Sequence, residues 1–250
     1  MSGHSKWSSI KHQKGITDAR RGQLFTKLTR EIIIAAKEGG GSIEGNFRLR
    51  LAVQKAREAN MPSDNIERAI KKGTGDIEGG SLAELTLEGY GPSGIAILVN
   101  ALADNRNRAI QEVRSTFTRY GGSLGEAGCV AWMFDSRGVI TIAPGDKDPE
   151  ELALAAIDAG AEDVKTEKDY IEIITLPENL EKVRTALENM NVEIQSSELS
   201  MIPKTTIELD EKSAIQALRL MEKLEELDDV QNVYSNADIS EEAAAAYEAS

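Results

Sequence analysis

Apolar residues recur at helical spacing over the first third of the chain and in short runs or alternation over the rest. From about Asp18, Leu24, Phe25, Leu28, Ile32 and Ala35 share one face at i, i+3/i+4, i+7 spacing, and Gly39-Gly40-Gly41 ends the pattern. A second helix is expected over about Asn46 to Ala59, with Leu49, Ala52, Val53 and Ala56 inward. Asn60-Met61-Pro62 breaks it, and Pro62 suits the first turn of a third helix running to Lys72 with Gly73 as its cap. Thr74 to Ser81 is Gly-rich and weakly patterned, which reads as a linker.

Strand signals follow. Glu84–Tyr90 and Ile95–Leu102 flank the turn Gly91-Pro92-Ser93-Gly94. Asp104 or Asn105 caps a helix to Tyr120, with Ala109, Ile110, Val113 and Phe117 inward, and Cys129–Phe134 reads as a further apolar strand. Residues 138–203 then read βαββαβ, the split-βαβ or ferredoxin-like order: Asp148 and Pro149 open the first helix, Gly160 closes it, and Pro177 opens the second. After Pro203 come a strand at Thr205–Leu209, a helix capped by Asp210 and a strand at Val230–Tyr234, with an Ala-rich tail that frays or extends a helix.

This order predicts an α+β protein of three domains. Residues 1–75 form a basic arm and a three-helix domain. Residues 82–135 and 205–240 are each too small for a finished sheet, so they are expected to pair as one discontinuous α/β domain, with the ferredoxin-like domain 138–203 inserted into it.

Charge changes the picture. Residues 1–75 hold 15 Lys and Arg against 7 Asp and Glu, a net of +8. The remainder holds 14 against 35, so the overall −13 conceals two oppositely charged regions. The opening stretch is polar, basic and laced with Gly and Ser. Lys6, Lys11, Lys14, Arg20 and Arg21 supply cations, with His12 among them, and Trp7 offers either a stacking surface or an anchor onto the body. On the first helix, Arg30 and Lys37 lie opposite the apolar face, while Arg20 and Lys27 flank it. Asp104-Asn105-Arg106-Asn107-Arg108 places Arg106 and Arg108 at a helix start, against the dipole, where phosphate would relieve the conflict. Either a polyanion meets these groups or the chain's own acidic part balances them.

Other chemistries find little support. Gly89-Tyr90-Gly91-Pro92-Ser93-Gly94 matches G-x-G-x-x-G, but a strand follows where a dinucleotide site needs a helix. No P-loop, H-E-x-x-H or G-x-S-x-G occurs. One cysteine, Cys129, excludes an intrachain disulfide and reads as a small buried residue; with two histidines it gives no zinc-site spacing. Neighbouring carboxylates such as Asp228/Asp229 read as solvated loop surface. Hence no catalytic group, metal, cofactor or small-molecule substrate is expected, and the chain reads as non-enzymatic. No apolar run reaches membrane-spanning length and no secretory h-region opens the chain, so a cytoplasmic location without membrane contact is expected.

Several blocks resemble the YebC family: Gly3-His4-Ser5-Lys6-Trp7, Ile10-Lys11-His12, Asp18-Ala19-Arg20-Arg21-Gly22, Phe25-Thr26-Lys27-Leu28, Asn60-Met61-Pro62, Asp64 to Ile70, Glu88-Gly89-Tyr90-Gly91-Pro92 and Asp104 to Arg108. They cover nearly the whole chain in order. The resemblance implies a three-domain regulator of gene expression without catalysis. It acts as a DNA-binding transcriptional regulator, or as a translation factor that binds the ribosome and eases elongation through proline-rich stretches. Gln13, Gln23 and Phe47 depart from the family's usual residues and lighten the basic face. The nucleic-acid contact set expected is Lys6, Trp7, Lys11, His12, Lys14, Arg20, Arg21, Lys27 and Arg30, with Arg106 and Arg108 as a second set; DNA and ribosomal RNA both remain open as targets. A protein-interaction scaffold, or a hydrolase with an interdomain site, are the alternatives.

Overall fold

A computed structural model describes residues 18–77, 82–143, 145, 147–166 and 170–248. Residues 134–204 make one compact unit; the described residues before and after them make the other. The protein is α+β: helices first, then two sheet-containing parts, the last inserted into the one before it.

The first unit begins with α1 (Asp18–Gly39), α2 (Phe47–Glu58) and α3 (Ser63–Thr74). Their shared core contains Leu28, Ile32, Leu49, Val53, Met61 and Ile66, the apolar positions of the helical pattern. Asn46 fixes the α1–α2 corner. Its side-chain oxygen caps α2 by accepting from the Leu49 N–H at 3.1 Å, and its amide donates to the carbonyls of Ala35 (2.7 Å) and Gly40 (2.8 Å). Gly73 is not the α3 cap expected from the sequence. Gly75, at φ +85°, closes the helix, and Gly73 lies inside it where a β-carbon would press on the Ile33 carbonyl and come within 2.6 Å of the Ala36 β-carbon. Glycine there permits α1 and α3 to pack closely.

The sheet of this unit contains β1 (Ala83–Tyr90), β2 (Ala96–Ala103), β3 (Ser123–Leu124) and β9 (Val230–Ser235), in the order β3-β1-β2-β9 and antiparallel throughout. β9 reaches β2 from beyond the insertion, with Ile97 opposite Ser235 and Val99 opposite Val233. The pairing across the insertion expected from two incomplete sheets is therefore present. β1 and β2 form a hairpin about the GYGPSG turn, where Ser93 and Gly94 take positive φ, and a strand rather than a helix follows it. Helices α4 (Arg106–Arg119) and α7 (Glu211–Glu225) pack on the sheet through Val113, Phe117, Leu218 and Met221. Two pieces differ from the sequence expectation. β8 (Ile207–Glu208) stays out of the large sheet and pairs in parallel with β10 (Ala237–Asp238). The Ala-rich tail is helix α8 (Glu241–Glu248), whose Ala243, Ala244 and Tyr247 join the core; the Tyr247 hydroxyl donates to the Glu222 carboxylate at 2.5 Å.

Residues 128–133 are not a strand either. They form a turn and a 3₁₀ turn at Ala131–Met133, because the backbone donors a sheet ladder would need are taken. The Glu88 carboxylate accepts from the N–H groups of Gly128 (2.6 Å), Val130 (2.8 Å) and Ala131 (2.7 Å). Burial pushes the Glu88 carboxyl upward, but these three bonds outweigh it and hold the group below its ordinary value.

In the second unit, β4 (Phe134–Ala143), α5 (Pro149–Ala159), β5 (Ala161–Thr166), β6 (Ile171–Thr175), α6 (Leu180–Asn189) and β7 (Glu193–Pro203) follow the expected βαββαβ order. The sheet order β5-β6-β4-β7, antiparallel throughout, is the ferredoxin-like arrangement. Asp148 caps α5 by accepting from the Glu150 N–H at 2.9 Å, and Gly160 closes that helix at φ +113°.

Candidate nucleic-acid interface

Of the expected contact set, Lys6, Trp7, Lys11, His12 and Lys14 lie outside the described residues, as does the side chain of Arg20 in the first turn of α1. Arg21 is exposed in that same turn. Exposed Lys37, Arg57, Arg68, Lys71 and Lys72 continue the positive charge over α1, α2 and α3.

Lys27 and Arg30 are used inside the chain. Gln23, Lys27 and Arg30 fall on one side of α1 at four- and three-residue steps, and that side lies against the C-terminal end of α7. Gln23 donates to the Glu226 carbonyl and, at 3.2 Å, to the Asp228 carboxylate. Lys27 donates to the Glu225 carbonyl at 2.5 Å, and Arg30 to the Asp228 carbonyl. A helix ends in carbonyls without intrahelical partners and in partial negative charge. Here a neighbouring helix supplies both the donors and the countercharge.

Asp229 completes this seam. It is 3% exposed, and its carboxylate meets Arg30 at 2.8 Å and Arg108 at 3.0 Å. The sequence reading of Asp228/Asp229 as solvated loop surface is thus corrected at Asp229. The arginines at the start of α4 are also explained in part. Asn105 caps the helix by accepting from the Arg108 N–H at 3.1 Å, while the Arg108 guanidinium binds Asp104 (2.6 Å) as well as Asp229. The bond to Asp229, with its charge and that of Asp104, raises the Arg108 pKa, so two carboxylates offset the unfavourable dipole. Arg106 is exposed beside it. Arg48 joins α2 to β1 in the same manner, with Glu84 at 2.8 Å and Glu38 at 2.5 Å.

The structure therefore divides the expected set. Lys27, Arg30 and Arg108 meet carboxylates and carbonyls of their own chain, whereas Arg21 and Arg106 face solvent. Periodicity alone could not reveal Asp229 as a partner, although a carboxylate pair just past a helix end is the signal to seek opposite a cationic helix side.

Both parts of the chain have counterparts among known proteins. The chain matches the family described as TACO1/YebC protein N-terminal domain over residues 5–76, and that described as TACO1/YebC second and third domain over residues 82–237. The chain belongs to the TACO1/YebC family. A probable transcriptional regulatory protein of Dehalococcoides mccartyi strain CBDB1 is 58% identical to it over 247 residues, covering 99% of this chain and 98% of that protein. One of Geobacter sulfurreducens is 56% identical over 242 residues, covering 97% and 98%. The crystal structure of a conserved hypothetical protein from Aquifex aeolicus superposes with a TM-score of 0.83 at 47% identity, covering 90% of this chain and 93% of that one.

Among the described residues no group of three or more His, Cys, Asp or Glu is placed to hold a metal ion, and no helix is long and apolar enough to cross a membrane. Burial, together with the charge of Glu88, pushes the half-buried Cys129 thiol upward, away from the thiolate a nucleophile requires.

Proposed function

We propose that this protein is a non-enzymatic regulator of gene expression that binds nucleic acid through its basic N-terminal region. The observation that carries this reading is the charge distribution: +8 within residues 1–75, set against an acidic remainder whose Asp229 pairs with Arg30. Lys6, Lys11, Lys14, Arg20 and Arg21 would contact phosphates, joined by the exposed cations of α1–α3 and by Arg106, with Trp7 and His12 beside them. Lys27, Arg30 and Arg108 would act by holding α1 and α4 against Asp229, which fixes the surface from which the basic segment emerges.

Of the two targets, irregular RNA such as that of the ribosome suits a Gly- and Ser-laced basic segment carrying one tryptophan better than duplex DNA does. Duplex DNA is the second reading, favoured by the names of relatives called probable transcriptional regulatory proteins. Co-sedimentation with ribosomes, set beside binding to duplex DNA at the same physiological salt, separates the two. Tighter ribosome binding is expected; tighter duplex binding would favour the transcriptional reading, and binding to neither would defeat the proposal.

A further inference from the structure

A groove of about 430 Å³ opens between α1, the end of α3 and the residues that lead into β1 and α4. Its walls combine three kinds of group. Phe25, Ile33 and Leu82 supply apolar surface. Arg30 and Lys72 bring cations from two different helices, and Lys72 is exposed at its rim. Thr26 and Thr29 donate their hydroxyl protons back to the carbonyls of Gly22 (3.1 Å) and Phe25 (2.7 Å), so their oxygens keep lone pairs to accept with. One carboxylate, Asp104, also lines the groove, but Arg108 binds it at 2.6 Å.

The geometry points to this groove as a site for one unpaired nucleotide. This rests on the nucleic-acid reading above and sharpens it. The volume lies within the roughly 300–1,000 Å³ common for small-ligand pockets. A base lays its face on Phe25, Ile33 and Leu82. Its amino or imino hydrogens meet the threonine oxygens and Asp104, and its phosphate meets Lys72. Arg30 stays on Asp229 and adds positive potential to the wall. A duplex cannot use the groove in the same way: a paired base shows the protein only its edge, and its faces are stacked on its neighbours. The groove therefore selects unpaired strands, whereas the basic segment responds to any phosphate backbone.

The test uses the full-length protein and three probes at one salt concentration: a single-stranded RNA, that RNA paired into a duplex, and single-stranded DNA of the same sequence. Leu82→Trp fills the groove without changing charge. Lys72→Ala removes an exposed cation and protects the test should the tryptophan variant fail to fold, which circular dichroism reports. The wild type is expected to bind the single strand about tenfold more tightly than the duplex, in line with the loss of one base-stacking contact. Leu82→Trp should abolish that preference and leave duplex affinity unchanged; Lys72→Ala should narrow it. Weakening on both RNA and DNA single strands supports a groove that reads base and phosphate, and weakening on RNA alone supports one that also reads the 2′-hydroxyl. A single-strand preference untouched by either variant overturns the inference while the nucleic-acid reading stands. Failure of the wild type to bind any probe at about 50 mM salt overturns both.

Discussion

The guanidinium of Arg30 on α1 lies 2.8 Å from the nearly buried carboxylate of Asp229, which also receives Arg108 from α4. Three distant stretches of chain therefore meet at one side chain. Asp229→Ala would leave two guanidinium groups facing each other without their shared countercharge. Such a loss costs several kcal/mol when both partners are buried, and the partial exposure of Arg30 reduces it here to about 2 kcal/mol. Urea denaturation of the variant should show a lower midpoint at unchanged m-value. Arg108→Ala should cost less than Arg30→Ala, because Arg108 is the more exposed of the two.

Glu88 should make stability depend on acid pH. Three backbone N–H bonds hold its folded pKa below the ordinary value of 4.5 despite burial. A depressed carboxyl pKa contributes stability that is fully present above the unfolded value and is lost as pH falls through the folded one. Glu88→Gln should lower stability by about 2 kcal/mol at neutral pH, as an amide in place of a charged acceptor predicts. The gap from wild type should shrink below pH 4.5. Thermal midpoints measured from neutral pH into this acid range check both points.

Gly73 gives a test of sign. Helix propensity alone predicts that Gly73→Ala stabilises α3 by about 1 kcal/mol. The contact with α1 predicts the reverse, a loss of about 1–3 kcal/mol, because the new methyl group presses on the Ile33 carbonyl and the Ala36 side chain. A thermal midpoint above that of the wild type would contradict the close packing of α1 on α3.

Much of this fold was legible in the sequence, for identifiable reasons. Asn105, Asp148 and Asp210 each cap a helix, and caps are local chemistry that a short window reveals. The ferredoxin-like order of the insertion and the pairing of β9 with β2 followed from counting strands. What escaped depends on partners far along the chain. The apolar run at 129–134 looks like a strand until Glu88 is seen to occupy its backbone donors. Gly73 looks like a cap until α1 is placed beside it. Lys27 and Arg30 look like solvent-facing cations until the end of α7 is found against them. The alanine tail reads as one that frays or extends a helix until Tyr247 is seen packed in the core with Glu222 as partner.

The division between inward and outward cations has a direct consequence for engineering. Charge removed at Lys27 or Arg30 should lower stability and leave the salt dependence of nucleic-acid binding nearly unchanged, since these groups already hold partners of their own chain. Paired measurements of unfolding and RNA affinity on Arg30→Ala check this; a shallower salt slope at unchanged stability would assign Arg30 to phosphate instead.

The central claim is that the basic N-terminal region meets phosphate. Its most direct test is the affinity for single-stranded RNA across a salt series, for the wild type and for the combined variant Lys11→Ala, Lys14→Ala, Arg20→Ala and Arg21→Ala. Four lost phosphate contacts should weaken binding at every salt concentration and make the slope of log affinity against log salt shallower by about 3. An unchanged affinity and slope in the folded variant would contradict the account.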